Sequence, residues 1–323
     1  MPNQAHDKKL TVVFLDRGSL DATLPAINFD HQWTEYPSTP HAEIVERLKG
    51  ADIAITNKIP ISRETIAQLP DLKFIGVAAT GTNIIDLDAC KQRQIVVSNI
   101  PEYARSSVPE HTFALILALR RQLKAYTEEV RQGAWNKSEQ FCLLNHPVRD
   151  LAGSRLGVIG YGTLGKAVAQ LGLAFGMELY VYNRSPINDT HAVQASLSEV
   201  LETSDVVTLH LPLNEQTRNM ISATQLMAMK RSAILVNTSR GGLVNEMDLA
   251  HALKNQVIAG AGFDVLTNEP PKQGNPLLDL DLPNFLLTPH VAWASQEAMA
   301  SLARQLVANL QAFASGRPQN CIR

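Results

Sequence analysis

"RLGVIGYGTLGKAVAQLG", residues 155–172, reads as a short buried strand, a glycine turn and the start of a helix. Leu156, Val158 and Ile159 form the apolar run, and Gly160, Gly162 and Gly165 stand in G-x-G-x-x-G spacing. Gly160 suits a tight turn, Gly162 the close approach of a pyrophosphate, and Gly165 the close packing of helix on strand. The helix start then offers free N–H groups and a positive dipole end to the phosphates. This context makes a dinucleotide the expected ligand. An S-adenosylmethionine or flavin site on a similar turn is the alternative.

Outward from that turn, short apolar strands alternate with helical stretches almost throughout. On the N-terminal side, strands are expected at 11–16, 52–56, 74–80 and 95–99, with helical segments near 41–49 and 62–69. A helical stretch at 108–135 follows, apolar on nearly all sides in its first half, so it should be buried between domains or at a subunit contact. Residues 136–154 read as a long loop. On the C-terminal side, strands are expected at 155–160, 179–183, 206–211, 233–239, 259–265 and 285–290. A helix over about 296–315 has no sheet of its own and should pack back on the first domain. Buried strands alternating with helices indicate α/β architecture with parallel sheets.

The chain's 323 residues suit two domains. Lys and Arg number 29 against 31 Asp and Glu, a formal charge of −2, which supplies no electrostatic footprint for nucleic acid or an anionic membrane. Cys90, Cys142 and Cys321 are widely spaced and suit neither a disulfide framework nor a metal site, so no metal is expected and a cytoplasmic protein is. The polar start "MPNQAHDKKL" does not resemble a signal peptide.

Eighteen residues past Gly165, the second strand of the nucleotide sheet ends in Asn183, Arg184 and Ser185. A carboxylate there would bind the ribose hydroxyls and repel a 2′-phosphate. An amide, a guanidinium and a hydroxyl would instead accept that phosphate. The set favours NADP(H), with NAD(H) as the alternative.

Six ordered segments carry a family resemblance. They are "SSVPEHTFALILALRR" (106–121), the glycine turn, "VVTLHLPLNEQTRNMI" (206–221), "ILVNTSRGGLVNE" (234–246), "AGAGFDVLTNEPP" (259–271) and "LTPHVAWAS" (287–295). Together they resemble the D-isomer-specific 2-hydroxyacid dehydrogenases over nearly the whole chain. Within that family, "FCLLNHPVRDLAG" (141–153) and the "PHVAWAS" ending look most like bacterial glycerate dehydrogenases, also called hydroxypyruvate reductases. The resemblance implies two Rossmann-like domains with a cleft between them. Residues 1–103 and 292–323 would form the substrate domain, and 104–291 an inserted nucleotide domain. It also implies a homodimer built through the nucleotide domain, with the 136–154 loop contributing.

The reaction so implied is reversible hydride transfer between NAD(P)H and a small 2-oxo acid such as hydroxypyruvate or glyoxylate. Arg240 would hold and polarise the substrate, and the two glycines after it would leave room for a ligand. His290 would act as general acid and base, with Glu269 pairing to its imidazole. Thr80, Gly81 and Thr82 would anchor the substrate carboxylate, and Thr80 would also touch the cofactor. Thr163 and Leu164 would lie over the pyrophosphate, and Leu211 and Pro212 would wall the adenine. Thr238 would lie near the nicotinamide ribose, Ser239 would also contact the cofactor, and Asp264 would hydrogen-bond the nicotinamide carboxamide, a buried structural Asp being the alternative. His111 and His210 are expected to serve packing or hydrogen bonding, and Trp293 either closes the substrate pocket or covers a hinge. A phosphoglycerate or other 2-hydroxyacid dehydrogenase is one rival. A cofactor-sensing binding protein and a methyltransferase are others, and neither would need Arg240, Glu269 and His290 together.

Overall fold

A computed structural model describes residues 9–322. The chain divides into two compact units, one formed by residues up to Tyr103 together with those from Ala294 onward, the other by Ala104–Trp293.

The first unit begins with β1 (Leu10–Phe14), β2 (His31–Glu35), α1 (Ile44–Leu48), β3 (Ile53–Thr56), α2 (Arg63–Ala67), β4 (Phe74–Val77), α3 (Leu87–Gln92) and β5 (Val96–Ser98). The strands pair in parallel in the order β2-β1-β3-β4-β5. β3 and β4 are buried at every position, as a strand covered on both faces must be.

The second unit runs through α4 (Ser107–Arg120), α5 (Leu123–Arg131), β6 (Arg155–Ile159), α6 (Thr163–Ala174), β7 (Glu178–Tyr182), β8 (Ala192–Gln194), α7 (Leu197–Thr203) and β9 (Val206–Leu209). It continues with α8 (Ala223–Ala228), β10 (Ile234–Asn237), α9 (Glu246–Lys254), β11 (Gly260–Phe263) and β12 (Phe285–Leu287). Its parallel sheet has the order β12-β11-β10-β9-β6-β7-β8. From β6 the chain moves outward to β7 and β8, then returns to the other side of β6 as β9. That reversal creates a crevice at the carboxyl ends of β6 and β9, where ligands of open α/β sheets bind.

The closing helix, α10 (Gln296–Ala314), belongs to the first unit. Its Phe313 stacks on Phe74 with ring centroids 4.6 Å apart, and buried Asn309 donates to the Asn99 carbonyl at 2.9 Å. The expected return of this helix is therefore observed.

Four expectations change. The stretch 108–135 is two helices, because Gln122 adopts a left-handed conformation (φ 56°) that ends α4 and starts α5. The apolar α4 is buried within its own unit, with Leu115 and Leu119 lying over Gly262 of β11. Two strands, β2 and β8, escape the pattern because both lie at sheet edges, β2 with a mostly polar sequence and β8 with only three residues, too few for an apolar run. Several strands also end two or three residues early: β9 stops at Leu209, β10 at Asn237 and β12 at Leu287. The residues beyond them lie in turns, where side chains are free to face a ligand.

Candidate active site

The carboxyl end of β6 runs into the glycine turn. Gly160 has φ +96°, and a Cβ there would lie 2.5 Å from the His210 carbonyl oxygen. A Cβ on Gly165 would sit 2.0 Å from the Gly160 carbonyl oxygen. These two glycines therefore shape the turn itself. Gly162 differs: it is exposed and extended, and nothing lies within 4 Å of a Cβ built on it. Its open face adjoins the N-terminus of the twelve-residue α6, with Thr163 exposed and Leu164 half-buried. Bare backbone at a positive dipole end fits a pyrophosphate.

At the end of β7 the Asn183 side chain is engaged within the protein. The Tyr161 amide donates to Asn183 Oδ1 at 3.1 Å, and Asn183 Nδ2 donates to the Ser185 carbonyl at 2.9 Å. This amide ties the glycine turn to the next loop rather than facing a ligand. Arg184 and Ser185 are exposed, and Arg184 has no carboxylate partner among the described residues. Below them the Tyr161 hydroxyl donates to Asp189 Oδ2 at 2.6 Å. Burial, reinforced by that carboxylate, raises the phenol's pKa. The phenol hydroxyl in turn lowers the pKa of Asp189.

Past β10, Asn237 organises the turn that carries Arg240. It is fully buried, accepts from the Ser239 amide at 3.1 Å and donates to the Arg240 carbonyl at 2.9 Å. The Ser239 hydroxyl donates to the carbonyl of half-buried Leu211 at 2.8 Å, and buried Thr238 meets the Thr112 hydroxyl at 2.8 Å. Pro212, next to Leu211, is exposed. Arg240 is half-buried, its Nη1 donating to the Ser239 carbonyl at 2.7 Å.

Of the two glycines after Arg240, Gly241 makes room for protein backbone. A Cβ on Gly241 would lie 1.9 Å from the Leu266 carbonyl oxygen, so this glycine admits the 266–267 backbone. That contact brings the Arg240 turn against the loop holding Glu269. The Leu266 amide donates to Glu269 Oε1 at 2.8 Å, and Glu269 Oε2 pairs with His290 Nδ1 at 2.5 Å. One carboxylate oxygen is fixed by its own loop and the other orients the imidazole. With Nδ1 facing Glu269, the ring's other nitrogen, Nε2, stays able to donate or accept a proton.

His290 lies three residues beyond β12, in a left-handed conformation (φ 56°) unusual for a residue other than glycine. Asp264 holds it there. This carboxylate is buried (1 % exposed) and accepts from the Thr288 hydroxyl at 2.5 Å, the Val291 amide at 2.9 Å and the Ala292 amide at 2.8 Å. The Asp264 carbonyl also accepts from the His290 amide at 2.8 Å. The turn after β12 thus engages both oxygens of this carboxylate. His111 adds a ring nitrogen 2.9 Å from the Thr288 hydroxyl.

His210 Nε2 lies 2.9 Å from the Thr208 hydroxyl. Although part of the residue is accessible, its Nδ1 is enclosed without a partner among the described residues, and burial lowers its pKa to about 4.

Asn237 and Thr288 went unrecognised in the sequence, whereas a buried structural role for Asp264 was the alternative reading of that residue. The only available signal for Asn237 and Thr288 was their place at or just past the ends of strands, which many residues share.

Thr80, Gly81 and Thr82 follow β4 in the other unit. The Thr80 hydroxyl is committed to the Ile100 carbonyl at 2.7 Å, and the Thr82 carbonyl accepts from the Ile85 amide at 3.0 Å. No group of three or more His, Cys, Asp or Glu gathers as a metal site among the described residues.

Residues 113–292 match the family model described as "D-isomer specific 2-hydroxyacid dehydrogenase, NAD binding domain". Over 312 residues the chain is 55% identical to a glycerate dehydrogenase of Methylorubrum extorquens, covering 96% of this chain and 98% of the relative. Among solved structures it is similar to an acyclic imino acid reductase in complex with NADPH and D-Arg, with a TM-score of 0.87 and 31% identity over 97% of this chain and 100% of the other. It is also similar to the D-lactate dehydrogenase of Aquifex aeolicus complexed with NAD and lactic acid, with a TM-score of 0.81 and 30% identity over 95% and 96% of the two chains.

Proposed function

The chain belongs to the D-isomer specific 2-hydroxyacid dehydrogenases, oxidoreductases with a NAD-binding domain, and from that premise we propose that it reduces hydroxypyruvate to D-glycerate, with glyoxylate as a second substrate. The observation that carries the reading is the Glu269–His290 pair, held beside the Arg240 turn on a sheet whose glycine turn fits a dinucleotide.

When bound, the nicotinamide supplies the hydride that reaches C2 of the 2-oxo acid. Arg240 holds the carbonyl and carboxylate oxygens with its planar fork and stabilises charge developing on the carbonyl oxygen. His290 delivers a proton from Nε2 to the new alkoxide, and in the reverse direction removes it. Glu269 keeps the ring aligned and stabilises its protonated form. The backbone at Thr80, Gly81 and Thr82 anchors the substrate carboxylate.

NADP(H) is the preferred cofactor in this reading, through Arg184 rather than the Asn183 amide. No acidic side chain ends β7, and the exposed guanidinium is available for a 2′-phosphate. The working form is a cytoplasmic homodimer. Phe141 (88 % exposed) and Leu144 (86 %), together with Trp135 and Val148, give the segment after α5 an apolar surface suited to a second copy.

The test is loss of reduced-nicotinamide absorbance with hydroxypyruvate, glyoxylate and pyruvate, using NADPH and NADH, in wild type, His290→Ala and Arg184→Glu. Turnover with hydroxypyruvate that His290→Ala abolishes supports the reading. An Arg184→Glu enzyme that keeps its NADPH preference overturns the cofactor assignment, and turnover surviving in His290→Ala overturns the mechanism.

A further inference from the structure

The amino ends of the nucleotide sheet, opposite the glycine turn, enclose a cavity of about 330 Å³. Ile234 at the start of β10, Ala259 just before β11 and Asn284 just before β12 form part of its wall. The rest includes Arg120, Arg149 and Arg231, residues far apart in sequence that the fold collects around one space.

The three guanidiniums are poorly matched by the protein. Arg120, the last residue of α4, is only 6 % exposed; its Nη2 donates to the Asp150 carbonyl at 2.6 Å, but its Nε has no acceptor among the described residues. An unsatisfied donor on a buried cation is among the costlier features a fold can keep. Burial and the nearby charge of Arg149 both disfavour the charged Arg120, while Asp205 and Asp150 favour it. Those two carboxylates have other partners: Asp150 pairs with Arg121 at 2.9 Å, and Asp205 with Lys230 at 3.2 Å and the Arg155 amide at 2.9 Å. Arg149 and Arg231 are exposed and lack a carboxylate partner among the described residues. Ser232 and Gln122 line the same space, adding a hydroxyl and an amide.

We propose that this cavity is a binding site for a small phosphate-bearing anion, distinct from the dinucleotide turn. Planar guanidiniums bind phosphate oxygens in pairs, and a dianion offsets the repulsion among three cations. The volume lies at the lower end of ligand pockets, so the occupant is inorganic phosphate or the phosphate ester of a three- or four-carbon molecule, not a nucleotide. The three strands that start at this wall lead to the Arg240 turn, to Asp264 and to the His290 turn. An occupant would therefore brace the strands that hold the catalytic groups.

The experiment is isothermal titration of inorganic phosphate, and separately of glycerol 3-phosphate, into wild type, Arg231→Gln and Arg149→Gln at fixed ionic strength. Thermal unfolding and light-scattering mass are measured on each protein. Both side chains are exposed, so the variants should fold. The expected result is one phosphate site per chain, weakened about tenfold or more in either variant, as loss of a charge-assisted contact implies. Tighter binding of glycerol 3-phosphate identifies an ester as the occupant, and equal binding identifies free phosphate. Unchanged affinity in both variants would place the ion at the glycine turn and overturn the proposal, as would no binding at tens of millimolar. Loss of an oligomer in the variants without phosphate binding would also overturn it, assigning the guanidiniums to carboxylates of a second copy.

Discussion

Replacing Asp264 by Asn changes one atom in a side chain that touches no other acid or base of the proposed reaction, yet it should disable the histidine. The carboxylate receives the Thr288 hydroxyl and Val291 amide on one oxygen and the Ala292 amide on the other. An asparagine keeps one oxygen and must turn its NH₂ toward at least one of these donors. One charge-assisted bond is lost, at about 1.5–3 kcal/mol, and a buried donor is left facing a donor. His290 meanwhile sits in a left-handed conformation, which itself costs about 1–3 kcal/mol and persists only while its surroundings enforce it. Shifting the turn by about 2–3 kcal/mol lowers the ratio of placed to displaced His290 by roughly thirty- to 160-fold. The kcat for hydroxypyruvate reduction should fall by that factor, while the KM for the cofactor stays within about twofold and the melting temperature drops by several degrees. The assay is steady-state absorbance at saturating cofactor, paired with thermal unfolding. If Asp264 instead served to grip the carboxamide, kcat would survive at saturation and the cofactor KM would rise. That outcome, with unchanged melting, would refute the reasoning.

Gly162→Ala should melt like wild type, since its Cβ meets nothing, but weaken dinucleotide binding about tenfold or more by crowding the pyrophosphate; Gly165→Ala, forced against the Gly160 carbonyl, should lose stability first. Dinucleotide titration and thermal unfolding of both variants check the pair. Glu269→Gln should lower kcat by about ten- to a hundredfold with little change in the hydroxypyruvate KM, because the ring loses its negative partner but not its place. For His210 the folded pKa of about 4 lies below the ordinary value of 6.5, so the unfolded chain binds the proton first. Stability is then full above pH 6.5 and declines as pH falls toward 4, by at most about 3 kcal/mol. Denaturant unfolding of His210→Gln across that window should show a correspondingly flatter profile.

Much of this architecture follows from local rules. Alternating apolar runs and helical stretches announce parallel sheets, because a strand covered on both faces must be apolar throughout. The spacing of Gly160, Gly162 and Gly165 marks the phosphate turn because each glycine answers a backbone requirement within six residues. The helix after 296 was legible as an orphan that had to pack elsewhere. Other features depend on residues distant in sequence. Edge strand β2 is mostly polar and edge strand β8 is three residues long, and only pairing with a neighbour makes them strands. Gly241 looks like room for a ligand until the Leu266 carbonyl arrives from a loop twenty-five residues later. The hold of Asp264 on the turn after β12, through the Val291 and Ala292 amides, joins residues more than twenty-five positions apart and so appears only in the folded chain. Arg120, Arg149 and Arg231 are unremarkable along the chain and become one cluster only in three dimensions. Backbone conformation is set largely by near neighbours, and so it is written locally. The partner of a charged or hydrogen-bonding side chain is set by which strands lie side by side, and only the folded chain decides that.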